Sequence, residues 1–304
     1  MPFMGEAIAF GTVLCWTFSV QFFAAASKKV GAIPVNIIRL AVALVLFGIL
    51  LWWRDGSPVP LNFNTHAWLF LCLSGVIGFF FGDIFLFKAL VELGPRVAML
   101  IQSLAAPTAA LLGWIFLKES YFLHQWLGMA IALVGVATVV LERGSAVGPK
   151  PETIVRKISL QGVVYGCFGM CGQAGGIILS KIGMQTDAGY LDAFAATEIR
   201  AIAAFFCFVG FFTITHQWNN VHKALANTRA VVYTSLGAVC GPFIGVSLSL
   251  LALHYLTSGV ASTFFALVPI CIIPFSIFLY KEHVSVRAVI GAFTAVGGVC
   301  LLSM

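Results

Sequence analysis

Apolar runs of about 20 residues, the length that crosses a hydrocarbon core of about 30 Å, recur along the chain between short polar connections. Ten can be drawn, at residues 5–26, 34–53, 67–90, 95–117 and 125–141, then 160–182, 191–215, 230–253, 259–280 and 286–302. The longest polar stretch, RGSAVGPKPETIVRKIS at 143–159, is broken by glycine and proline, so no helix is expected through it. It separates a first half, 1–143, from a second, 160–304, with 144–159 as the linker and five spans on each side.

The halves are copies. A shift of 163 residues lays 73–119 on 236–282, and 13 of the 47 positions match without a gap. Residues that apolar bias does not supply carry the match: Gly78 and Gly82 fall on Gly241 and Gly245, and Lys118-Glu119 on Lys281-Glu282. The second span echoes too, Asn36-Ile37-Ile38-Arg39 against Thr197-Glu198-Ile199-Arg200. A unit that crosses five times ends on the opposite side, so its copy is inserted upside down. The expected fold is an all-α integral membrane protein of ten transmembrane helices, arranged as two inverted five-helix repeats, a recurring design of secondary transporters.

Composition sharpens this picture. Charged residues are 9% of the chain, against roughly 25% in soluble domains, and the mean hydropathy is +1.02. The first apolar run lacks a basic start and a small-residue cleavage site, so it is expected to stay as a span. The formal net charge of +6 is spread over short connections, which makes it topology information and not a nucleic-acid surface. Twelve Lys and Arg lie on the side reached after odd-numbered spans and three (Arg54, Lys118, Lys181) on the other. The positive-inside rule then puts both termini outside the cell. All eight cysteines lie inside spans without His or acidic partners at ligand spacing, so no metal site is expected.

Several features in order resemble one family. Each half has small residues opening its fourth span (Val97-Ala98, Val260-Ala261), a proline within it (Pro107, Pro269), Lys-Glu at its end and glycines in the fifth (Gly128 and Gly135, Gly291 and Gly298). This pattern resembles the EamA family of the drug/metabolite transporter superfamily. The second half departs from it by a proline one position early and an additional Pro274. The resemblance implies cytoplasmic termini, against the charge count, and a substrate cavity among the first, third, fourth, sixth, eighth and ninth spans.

Ionisable residues within spans mark bundle contacts or the pathway. Asp83, whose repeat mate is Val246, can bind an amine or carry a coupling proton; the blander reading pairs it with Lys88 or a backbone group. Arg39 and Arg200 stand at equivalent places and are expected to cap or snorkel, with substrate contact as the alternative. Glu198 is expected to neutralise an arginine across the bundle, or to serve in coupling. Uncharged polar residues near the expected midplane are candidate cavity walls: Trp16, Ser19, Gln21, Gln102, Ser103, Tyr165, Gln173, Ser247 and Ser249. For each, helix-to-helix hydrogen bonding is the commoner role. The sixth span is rich in glycine, and Gly172 and Gly176 are candidate gating positions; the Gly78/Gly82 and Gly237/Gly241/Gly245 series are read as helix contacts. Trp52, Trp53, Trp68, Trp114, Trp126 and Trp218 are read as interface anchors.

No motif for catalysis or nucleotide binding stands in the sequence. The expectation is therefore not an enzyme, without cofactor, but a multi-pass protein of the cell (inner) membrane. It moves a small metabolite, an amino acid or similar compound, outward by alternating access, with protons as a possible coupling partner. An importer or exchanger of sugars or nucleotides on the same fold, and a receptor or scaffold without transport, are the alternatives. No oligomer is implied.

Overall fold

The computed structural model describes residues 3–93, 98, 101–141, 159–187, 189–272 and 286–302. Residues 144–158 of the linker, all but Ala98 of the start of the fourth span, Pro274 and the Lys281-Glu282 pair lie outside the described residues. The first half consists of α1 (Met4–Val30), α2 (Ala32–Asp55), α3 (Thr65–Ser74), the π-helical segment π1 (Gly75–Gly82), α4 (Asp83–Leu93), α5 (Ala105–Leu117) and α6 (Leu123–Leu141). The second consists of α7 (Leu160–Met184), a hairpin of β1 (Gln185–Thr186) and β2 (Gly189–Tyr190), α8 (Ala193–Ile214), α9 (Trp218–Ala226), α10 (Thr228–Ala238), π2 (Val239–Val246), α11 (Ser247–Ala252), α12 (Ser258–Phe265) and α13 (Val286–Leu302).

Six of the described helices are long and apolar enough to cross a membrane, and four shorter apolar ones, 101–117, 123–138, 258–272 and 289–302, stand where the other spans were expected. The outer surface is apolar: Trp53, Ile214 and Phe293 are 85%, 80% and 76% exposed. The interior is lined instead by small residues, among them Ala9, Ala43, Ala110, Ala204 and Ala261, which lets helix backbones approach where the hydrophobic effect offers no drive.

Elements pack across the halves in matching pairs. α1 lies on α10, π2 and α11, while α7 lies on α3, π1 and α4; α2 meets α8, α5 meets α12, and α6 meets α13. The last pair joins through the expected glycines: a methyl at Gly128 would come within 2.7 Å of the Gly298 carbonyl oxygen, and one at Gly135 within 2.6 Å of that of Gly291.

The π segments occupy corresponding places in the third and eighth spans, at 75–82 and 239–246. A π turn holds an extra residue and so rotates everything after it by about 100° relative to a continuous α-helix. Gly75, Gly78 and Gly82 are buried in the first, and Pro242, which lacks an N–H to donate, sits in the second. The glycines do different work in the two places. Gly78 and Gly82 meet the backbone of α7, whereas Gly237, Gly241 and Gly245 receive the side chains of Phe23, Ser19 and Trp16. Both series are helix contacts, as expected, the first made backbone to backbone and the second as a seat for side chains of α1.

Polar caps set several helix starts. Asn64, Ser159, Asp192 and Asn227 each accept a backbone N–H three residues on. One element was not anticipated: α9, within what reads as a polar connection, has its polar residues exposed and Val221 and Ala224 buried.

Candidate functional site

The α1–α2 turn, α4, the start of α7 and α9 surround a cavity of about 730 Å³. Gly31, at φ 85°, makes that turn, a conformation glycine adopts without strain. On α4, Ile84, Phe87 and Lys88 share one face at helical spacing and line the cavity with Glu92. Tyr165, Gln217, Asn220, Lys223 and Lys29 add to the wall. Lys88 Nζ stands 5.4 Å from the ring centres of both Phe85 and Tyr165, so it is not the partner of Asp83 that the sequence suggested. Three lysines against one glutamate make the wall cationic.

Asp83 precedes the cavity-lining Ile84 and is buried in the bundle. It is ion-paired with Arg39 of α2 and accepts a hydrogen bond from Gln173 Nε2 of α7 at 3.2 Å. Arg200 of α8 is a second cation close enough to act on it. The Arg200 guanidinium lies 4.5 Å over the Phe79 ring, and its Nε has no partner. Gly78 leaves room for it, since a methyl there would stand 3.3 Å from Nη2. One carboxylate therefore ties the third span to the second and sixth, beside the two repeat-equivalent arginines. Glu198 does not join them: it is 2% exposed and has no ion pair among the described residues, contrary to the expected neutralisation of an arginine.

The opposite end is tied by a different carboxylate. Lys118, at φ 52°, turns the chain after α5, and Glu119 follows. Glu119 accepts hydrogen bonds from Lys181 Nζ at 2.7 Å, the Tyr121 hydroxyl at 2.6 Å, and Ser258 N and Oγ at 3.0 Å each. It thereby caps α12, where the orphan amides and helix dipole favour an anion. Lys181 Nζ also donates to the Leu256 carbonyl at 2.8 Å, and Gly259 N donates to the Tyr121 hydroxyl at 3.1 Å. Burial works against the Glu119 charge, but the Lys181 ammonium and these hydrogen bonds outweigh it and hold the carboxyl below its ordinary range. Burial, and then Glu119, push the Tyr121 phenol well above its own. On the same face Arg54 forks to Asp192 at 3.0 and 3.1 Å, and Tyr190 stacks on His254 at 4.7 Å.

Of the residues singled out in the sequence, Asp83, Gln173, Arg39 and Arg200 converge, and Tyr165 lines the cavity above them. Trp16 and Ser19 face Gly245 and Gly241 of π2; the Trp16 ring is also 5.1 Å from Phe265 of α12, and Ser19 Oγ donates to the Gly237 carbonyl of α10 at 3.2 Å. Ser249 donates to the Val246 carbonyl at 2.7 Å, whereas Ser247 Oγ and Gln102 Oε1 are buried without partners. Gln21 and Ser103 make contacts of their own. Gly172 and Gly176 press on π1, where added methyls would come within 2.7 Å of the Gly82 Cα and 2.9 Å of the Gly78 Cα. In the sequence Lys118-Glu119 marked the repeat and Lys181 only entered the charge count; the repeat of Lys-Glu was the one signal for the Glu119 network.

A chain whose described residues are mainly helical, with apolar outer faces and charges gathered inside the bundle, is a multi-pass membrane protein. The model of the EamA-like transporter family matches residues 3–141 and again 160–304, and the chain belongs to this family. It is thus a membrane transporter of the drug/metabolite type, with a small-molecule substrate. Among solved structures 28 chains match; one crystal structure covers 99% of this chain and 96% of its own, at a TM-score of 0.70 and 17% identity, a likeness of fold. No curated protein matches the sequence.

Proposed function

We propose that the protein is a secondary transporter of the cell (inner) membrane that moves an amino acid or similar small metabolite outward, by alternating access between two inverted five-helix repeats. One observation carries the reading: a 730 Å³ cavity opens at one end of the bundle, while Glu119, Lys181, Tyr121 and Ser258 tie spans together at the other. A carrier with one mouth open and the other closed is one stage of such a cycle. The exchange of partners between halves, α1 with π2 and α7 with π1, supports an in-plane two-fold axis.

The test is flux from proteoliposomes preloaded with a mixed pool of amino acids and phosphate esters. Efflux of specific members above that from empty liposomes is expected; no efflux of any metabolite contradicts transport. A second reading, an exchanger of sugar phosphates or nucleotides, is favoured by Lys29, Lys88 and Lys223 on the cavity wall. In the same assay it predicts flux of phosphate esters and none of amino acids. The cavity opens on the side with twelve Lys and Arg, which the positive-inside rule makes cytoplasmic, the loading side for export. A C-terminal reporter active in the periplasm fits this orientation, and one active in the cytoplasm reverses it.

A further inference from the structure

We propose that Glu198 is a proton-binding site in the seventh span, separate from the Arg39–Asp83 pair. Glu198 is the sixth residue of α8 and 2% exposed, and its Oε2 is buried without a hydrogen-bond partner. The helices packed against α8 supply it with no counter-charge. On α2, Arg39 is engaged by Asp83, and Arg54 by Asp55 and Asp192. On α7, Lys181 is engaged by Glu119. On α3, His66 is exposed and lies against the Phe70 ring at 4.6 Å. The segments π1, π2 and α11 carry no charged residue, and on α8 itself the Arg200 guanidinium is stacked on Phe79.

An ionised carboxylate left bare in such surroundings is strongly disfavoured, and taking up one proton removes the charge and with it the cost. Asp83 differs, because Arg39, Gln173 and Arg200 all favour its anion. One further unpartnered buried atom, Ser247 Oγ, is on α11, a helix that packs against α8. It is a hydroxyl of the kind that a carboxylic acid O–H and C=O can use. The step is simple in balance: the carboxylate takes one proton from water and becomes the neutral acid, and releasing it restores the anion. Glu198 is about 8 Å along α8 from Ala193, next to the face held by Arg54 and Asp192, from which water reaches it when that face opens.

Protonation of Glu198 stands by itself; its use in coupling rests on the transport reading. Infrared spectroscopy of the purified protein at neutral pH, in water and in deuterium oxide, tests the first. The carbonyl stretch of a buried protonated carboxyl is expected in the wild type and in Asp83→Asn, and its loss is expected in Glu198→Gln. A wild type without that stretch, or a Glu198→Gln variant that keeps it in full, overturns the site. Flux measured with and without an imposed pH gradient tests the second. Wild-type flux should respond to the gradient and that of Glu198→Gln should not; a response of wild-type size in the variant overturns coupling through this residue. Absence of flux from the wild type would defeat the transport reading while leaving the infrared result intact.

Discussion

Asp83 and Glu119 do similar work at different depths: each is a single buried carboxylate that joins spans distant in sequence. Breaking a buried pair leaves a stranded charge at a cost of about 3–5 kcal/mol, whereas replacing both partners by apolar residues is often neutral. Asp83→Asn should therefore lower the thermal stability of the purified protein by about 3 kcal/mol, and Arg39→Met with Asp83→Leu should restore most of it; an additive double variant contradicts the pairing. For Glu119 the folded-state carboxyl is held below its unfolded value. Its contribution is thus present above the unfolded pKa of about 4.3 and lost as pH falls through the folded one. The wild type should lose thermal stability on acidification below about pH 4, and Glu119→Gln, less stable at pH 7, should lose less over that range. These partnerships were not legible in the sequence. Asp83 and Arg39 are 44 positions apart, and Glu119 and Lys181 are 62 apart; no local pattern reports which of several buried charges meet. What the sequence did mark was the short roll of ionisable residues inside spans, and Arg39, Asp83 and Arg200 from it do converge.

At the scale of elements, the glycine-rich α7 was legible and its contact was not. Its glycines do not simply loosen a helix; Gly172 and Gly176 are where α7 rests on the backbone of π1. Gly175 faces another way, with its nearest outside atom, Ile77 Cγ2, 3.5 Å from an added methyl. Gly172→Leu and Gly176→Leu should reduce the yield of monodisperse protein on size exclusion as well as transport, while Gly175→Leu is tolerated. A full yield of Gly172→Leu without transport would instead mark a purely gating position. The π segments escaped the sequence because hydropathy periodicity over eight residues does not distinguish 3.6 from 4.4 residues per turn. Their effect is to set the rotation of Asp83, the first residue after π1. The amphipathic α9 escaped for another reason: at nine residues it is too short to read as a span, and only Val221 and Ala224 of it are buried.

For the whole molecule, doubling of the chain was the most legible feature, since Gly78, Gly82 and Lys118-Glu119 recur at one offset and the family model matches each half. The copies differ at the candidate site. The cavity wall has Lys88 where the second copy has Leu251, the central pair has Asp83 where it has Val246, and Lys181, which holds Glu119, stands 163 positions after Phe18. These differences make the ends of the bundle unlike, one open over a cationic cavity and one tied by Glu119. Alternating access requires that the ends exchange these states. The most direct measurement is a pair of spin-label distances in a variant whose native cysteines are replaced: Glu92 to Asn220 across the cavity mouth, and Phe122 to Gln185 at the other end, with and without the transported metabolite. The account predicts opposite changes, a shorter distance at the mouth and a longer one at the tied end. Two distances that stay fixed, or that lengthen together, would contradict it.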